Sequence, residues 1–162
     1  MPEATPETFS QRISQVTGKI AGRPVDAALA DFLEAEFPAS GEIFGDIFKL
    51  CQEAIAAGWM CAREAGGIRF GRVIKASPAT HGFSVDVVEM ENVQGPHHRH
   101  PKGEIDMIMP LAGGPEFDGH GRGWLVYGPD SAHRPTVAGG RALVLYLLPD
   151  GAIEFTAELT PK

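Results

Sequence analysis

The chain has 162 residues, enough for one hydrophobic core and a compact extension. Hydrophobic residues make up 43% and charged residues 22%, and the 20 Gly and 13 Pro follow no period, which excludes collagen-like and low-complexity chains. A formal charge of −7 with no basic run argues against a nucleic-acid surface.

The first part of the sequence reads as helical. Phe9, Ile13, Val16 and Ile20 recur at three- and four-residue steps, so a first helix opens near Pro6 and Glu7 and breaks at residues 22–24. Val25, Ala28, Leu29, Phe32 and Leu33 form a second apolar stripe, with Asp26 placing negative charge at the helix start and Pro38 ending it. Ser40 is a candidate N-cap for a third helix over 41–64, whose stripe holds Ile43, Phe44, Ile47, Leu50, Cys51, Ala54 and Ile55. Gly66-Gly67 is expected to stop it. Cys51 and Cys61 both fall in this segment and read as buried thiols in a reducing compartment.

The period changes after Gly67. Strands are expected at 68–74, 83–88, 105–109, 124–127, 142–148 and 153–158, separated by Gly, Pro and Asp turns. Asp150-Gly151 between two apolar runs predicts a hairpin. Short strands at this density predict a small barrel or two-sheet sandwich. The organisation is therefore a helical extension over 1–66 and a β-barrel over 67–162. Residues 142–148 are too few to cross a bilayer and no basic start with an apolar run is present, so a cytoplasmic protein without membrane association is expected.

Histidines gather at 97, 98, 100 and 133. In an extended segment His98 and His100 point to the same side and can converge on one ion. Glu104 follows a Pro-Lys-Gly turn, and His133 follows a turn rich in Gly, Pro, Asp and Ser. A bare His-x-His is weak evidence, since surface loops carry it too. Glu104 and His133 together complete a three-histidine, one-carboxylate set, which suits Fe, Mn, Zn, Ni or Co better than Cu(I) or calcium. His97 is expected to face away from its neighbour.

The spacing of His98, His100 and Glu104, with His133 after a proline-containing turn, resembles the two motifs of the cupin superfamily. That resemblance implies a mainly β fold, a cupin-like small β-barrel (double-stranded β-helix) behind the α-helical N-terminus. Residues 81–88, 103–106, 117–119, 123–124, 135–137 and 145–149 are similar to those of a bacterial family of 4-hydroxylaminobenzoate lyases.

That resemblance implies a metal-dependent lyase converting 4-hydroxylaminobenzoate and water to 3,4-dihydroxybenzoate and ammonia. Such a reaction needs an acid for the leaving group, with His97, Asp106, His120 and Tyr127 as candidates. The substrate is a small aromatic carboxylate, for which Arg69, Arg72, Arg122 or Arg141 could supply a guanidinium. Phe83, Met107, Met109, Trp124 and Tyr146 are candidates for an aromatic pocket. A metal-dependent oxygenase, an isomerase of a sugar or small acid, and a ligand sensor stay open as other uses of such a barrel. A homodimer is expected, because closed two-fold assembly is the commonest kind.

Overall fold

The computed structural model describes residues 4–156. Helix α1 (Pro6–Ile20) starts at a reciprocal cap in which the Thr5 and Thr8 hydroxyls accept from each other's backbone N–H, at 3.1 and 3.0 Å. Its buried face is Phe9, Ile13, Val16, Thr17 and Ile20, the expected stripe with one threonine added. Helix α2 (Ala27–Glu36) is capped by the Asp26 carboxylate, which accepts from Leu29 N at 3.1 Å. Asp26 therefore caps α2 by a direct hydrogen bond as well as by charge.

Helix α3 (Glu42–Ala57) departs from expectation at both ends. Gly41, not Ser40, occupies the N-cap, without a side-chain hydrogen bond. The helix stops at Gly58, which takes a left-handed conformation (φ 93°) and so turns the chain out of the helix. Cys61 also has positive φ, and residues 63–65 then form a strand instead of a last helical turn. Gly66-Gly67 is the turn between strands β1 (Arg63–Ala65) and β2 (Ile68–Ile74).

The remaining strands are β3 (Phe83–Gln94), β4 (His98–His100), β5 (Glu104–Phe117), β6 (Gly123–Tyr127), β7 (Ser131–His133), β8 (Thr136–Pro149) and β9 (Glu154–Phe155). They pair antiparallel into a six-stranded sheet, ordered β1-β2-β3-β8-β5-β6, and a three-stranded sheet, ordered β7-β4-β9. The fold is a small cupin-like barrel behind an N-terminal helical layer. Among the described residues no helix is long and apolar enough to cross a membrane.

Asp150-Gly151 does form a tight turn, with φ of 56° and 67°. The expected hairpin is absent because β8 already has β3 on one edge and β5 on the other. The chain leaving the turn has no free edge of β8 to follow, so β9 crosses over and pairs with β4. Residues 157 and 158 of the expected last strand lie outside the described residues.

The large sheet is buried on both faces. Val85, Val87, Ile105, Met107, Met109, Leu143, Leu145 and Leu147 join the helix stripes in one apolar cluster. Their alternates Met90, Ile108, Val144, Tyr146 and Leu148 form a second cluster inside the barrel. This explains the unbroken apolar run at 142–148, since a central strand covered on both sides needs apolar residues at every position. Glu104 and Asp106 share the inner face with Ile108 by the two-residue period.

Five pocket candidates are corrected by this geometry or sorted by it. Phe83, Met107, Met109 and Trp124 face the helices, and only Tyr146 faces inward. Trp124 packs edge-on to Phe44 at 5.8 Å and donates from Nε1 to Phe37 O at 2.8 Å, so it ties the sheet to α2 and α3.

Gly103 makes the turn that delivers Glu104. Its φ is 94°, and a Cβ there would lie 2.6 Å from Val25 Cγ1 and 2.8 Å from Tyr127 O. Gly103→Ala is expected to cost about 2–4 kcal/mol, from left-handed strain plus the clash. Urea unfolding checks this, and a loss under about 0.5 kcal/mol contradicts it.

Candidate metal centre

Strand β4 is short and fully extended. His98 and His100 therefore project to one side and are buried, while Arg99 between them points outward to Asp130 and Glu154. Residues 101–103 reverse the chain, and Glu104 opens β5 with no solvent exposure. On the other flank β7 pairs with β4 so that His133 lies directly opposite His98, on the same face. One ligand atom from each of His98, His100, Glu104 and His133 lies within 4.8 Å of the others.

The donor set fits a cation because its protons are already committed elsewhere. Ser131 Oγ donates to Gly128 O at 2.6 Å, so it accepts from His100 Nδ1 at 2.9 Å, and the lone pair of His100 Nε2 faces inward. His133 Nδ1 donates to Asp118 Oδ2 at 2.6 Å, which likewise turns Nε2 inward. His98 Nε2 is 3.1 Å from His133 Nε2 and 3.3 Å from Glu104 Oε1. His100 Nε2 sits 2.9 Å from Glu104 Oε1 but without hydrogen-bond geometry, and it and Glu104 Oε2 are buried without a partner. Buried lone pairs aimed at one point are what a divalent cation satisfies. Three imidazoles and a carboxylate suit Fe, Mn, Zn, Ni or Co.

Electrostatics agree with that reading. Burial pushes the Glu104 carboxyl up, but the adjoining imidazoles of His100, His133 and His98 outweigh it and hold it well below the usual range. Burial works against charge on His133, yet Asp118 and Glu104 raise its pKa to about 9. Asp106, two residues along the same face, goes the other way. Burial and the Glu104 charge push it well above the usual carboxylate range, and neither of its oxygens has a hydrogen-bond partner.

The other candidates divide by position. Tyr127 adjoins the cluster, stacked on His100 at 5.6 Å, and its hydroxyl donates to Asp118 Oδ2 at 2.5 Å. His97 faces away and meets Thr156 Oγ1 at 2.6 Å, and His120 is exposed in a turn bonded to Phe117. Neither histidine joins the cluster. Arg69 and Arg141 both pair with Glu89, and Arg122 donates to Ala39 O beneath the rings of Phe44 and Phe48.

Arg72 is different. It lies on the wall of a cavity of about 520 Å³ inside the barrel, whose lining also includes His98. The walls are mostly apolar, with Phe70, Val88, Met90, Tyr146, Ile153 and Phe155 among them. Arg72 is bidentate to Asp86, at 2.8 and 3.2 Å, and among the described residues is the only arginine or lysine on that wall.

The family model for PnbB, 4-hydroxylaminobenzoate lyase, matches residues 11–155. The chain belongs to the 4-hydroxylaminobenzoate lyase family. It is 29% identical to the 4-hydroxylaminobenzoate lyase of Nocardioides sp. (strain LMS-CY), over 98% of both chains. It is 29% identical to the enzyme of the same name from Pseudomonas putida, over 85% of this chain and 88% of that one. The crystal structure of DMSP lyase DddQ from Ruegeria pomeroyi DSS-3 shares the fold, with a TM-score of 0.50 at 16% identity, over 98% of this chain and all of that one. The protein is thus a member of an enzyme family.

Within this lyase-family fold, Asp118 is a site residue that spacing did not single out. It accepts from His133 Nδ1, Tyr127 Oη and Thr136 N at 2.6, 2.5 and 2.9 Å. Its sequence signals are an Asp-Gly turn and its place in the family-like stretch 117–119, and its φ of 50° fits a turn residue. Nothing in the sequence places that turn beside His133.

Two outcomes follow from this geometry. Asp118→Asn is expected to weaken metal binding about 10–100-fold, while His100→Ala removes most of it. Competition with a chromophoric chelator measures both, and an unchanged affinity in Asp118→Asn contradicts the first. The folded His133 pKa of about 9 lies above its unfolded value of 6.5, so the stabilisation is full below 6.5 and lost as pH rises through 9. Asp106, also raised, acts in the same direction. Melting temperature of the chelator-treated protein is expected to fall from pH 6.5 to pH 9.5, and metal loading, which replaces the His133 proton, is expected to flatten that fall.

Proposed function

We propose that the protein converts 4-hydroxylaminobenzoate and water to 3,4-dihydroxybenzoate and ammonia, with one divalent metal ion held by His98, His100, Glu104 and His133. The observation that carries this reading is the shared wall of the cavity, where His98 of the ligand cluster and the Arg72 guanidinium both face an apolar space. A flat aromatic ring with a carboxylate matches that lining. The family and both named relatives support the substrate.

The reaction balances without nicotinamide, flavin or dioxygen. The N–O bond breaks and its oxygen leaves as water once protonated. The adjacent ring carbon C3 exchanges its hydrogen for an oxygen from water, and C4 exchanges nitrogen for oxygen from a second water as ammonia leaves. One water is consumed net, and the N–O bond is the internal two-electron oxidant. When bound, the metal supplies Lewis acidity or lowers the pKa of a bound water. The chain's own side chains do the rest. Arg72 grips the substrate carboxylate, with Asp86 fixing its plane through Nε and Nη2. Phe70, Val88, Met90 and Ile153 exclude water from the ring. Asp106 is the carboxyl placed to hold a proton beside Glu104, since its burial disfavours the charged form. The Tyr127 hydroxyl is directed at Asp118, which supports a role in steadying the carboxylate that holds His133 over one at the leaving group. Arg69 and Arg141 are occupied at Glu89, outside the cavity.

An anaerobic assay tests the proposal. Protocatechuate (3,4-dihydroxybenzoate) and ammonia are expected in equal amounts at an undiminished rate, abolished by chelation and restored by the correct ion. Arg72→Ala is expected to raise KM about tenfold or more, and removing the carboxylate from the substrate is expected to mimic it. Metal-loaded protein that leaves the hydroxylamine untouched and instead consumes dioxygen with an aromatic diol overturns the lyase reading in favour of an oxygenase.

A further inference from the structure

Among the described residues, Phe155 is the one large hydrophobic side chain left exposed, at 62%. A single exposed phenylalanine is unremarkable by itself. This one has three further properties. It lies on the wall of the cavity that also holds His98 and Arg72. It stands directly opposite His98 in the β4–β9 register, so both side chains point to the same side, with ring centroids 5.8 Å apart. The segment that carries it is pinned from outside. Glu154 accepts from Arg99 at 2.7 Å, Asp150 pairs with Lys102, and the Gly151 carbonyl accepts from Arg72 at 3.4 Å.

The alternation of this segment explains the arrangement. Ile153 and Phe155 face the cavity while Glu154 faces out to its ion pair. Exposed apolar area is retained on a positioned backbone next to the ligand cluster. Such a ring gains most when a second flat surface covers it.

We infer that Phe155 is a specificity-determining residue, whose ring forms the outer wall of the site and packs against the aromatic face of the bound acid. This rests on the aromatic-acid reading given above. It adds a contact that selects planar rings, beyond the charge recognition by Arg72. Because Arg72 also holds the Gly151 carbonyl, the side chain that meets the carboxylate also steadies the segment carrying the ring contact.

The test is calorimetric titration of the metal-loaded full chain with 3,4-dihydroxybenzoate, and with benzoate against cyclohexanecarboxylate. Phe155→Ala is expected to weaken 3,4-dihydroxybenzoate about tenfold or more and to erase most of the preference for benzoate. Phe155→Tyr is expected to stay within about twofold of the native protein, with Phe155→Leu between them. In turnover KM rises while kcat stays within about threefold, and metal content is unchanged. Unchanged binding in Phe155→Ala overturns the inference. So does a loss of binding that tracks loss of metal, or a shift from dimer to monomer in sedimentation with ligand affinity intact. If the native protein itself neither binds 3,4-dihydroxybenzoate nor acts on the hydroxylamine, the aromatic-acid reading fails first, and this inference falls with it. Native binding with an indifferent Phe155→Ala sinks the inference alone.

Discussion

Glu104 is a carboxylate with no solvent exposure, set among three imidazoles at 2.9 to 3.6 Å. Burying an ionised carboxylate costs several kcal/mol unless positive charge or hydrogen bonds replace its water. Much of the barrel's irregular structure serves that one requirement. The turn at Gly103 brings Glu104 to the cluster, strand β4 aims two histidines at it, and β7 aims a third. Charge on His133, or a cation in its place, supplies the compensation. Asp118 completes the arrangement by taking the other proton of His133, so that the imidazole presents a defined nitrogen to the site.

The two sheets divide the labour. The six-stranded sheet is long, continuous and covered on both faces, with helices on one side and the barrel interior on the other. Apolar burial on both faces makes it the rigid platform. The three-stranded sheet is made of short pieces, and β9 contributes only two residues. Few backbone hydrogen bonds and exposed ion pairs hold it, which places it at the less stable end of the molecule. The ligand cluster therefore sits between a stiff wall bearing Glu104 and a lighter wall bearing the histidines. Phe155 in β9 and Ile153 just before it line the cavity on the lighter side.

Polar groups on the inner face follow the strand registers. Asp86, Tyr146 and Asp106 are cross-strand neighbours on β3, β8 and β5, and Arg72 faces Asp86 from β2. Four adjacent strands thus carry a polar row through an otherwise apolar interior. One end of the row meets the cavity at Arg72, and the other lies two residues from Glu104. The Arg72–Asp86 pair and Glu104 share one sheet face, and the pairing register sets their relative positions.

The sequence by itself determined the local geometry that depends on short-range periodicity. Helical stripes such as Phe9, Ile13, Val16 and Ile20 were legible, as were the alternating strands and the same-side projection of His98 and His100, because each is set by residues within a turn or two. The grouping of His133 with the first cluster was legible through motif resemblance, since no local rule connects residues 33 positions apart. Tertiary structure decided the rest. Gly58 and not Gly66-Gly67 ended α3, because a left-handed cap is available to any glycine and the strand partner of 63–65 lies across a hairpin. Asp150-Gly151 turned without a hairpin, because both edges of β8 were taken by strands distant in sequence. Arg72 was separated from three other arginines, and Asp118 brought to His133, only by packing. A charged side chain has the same composition on a surface and on a cavity wall, and the difference lies in which distant strands close around it.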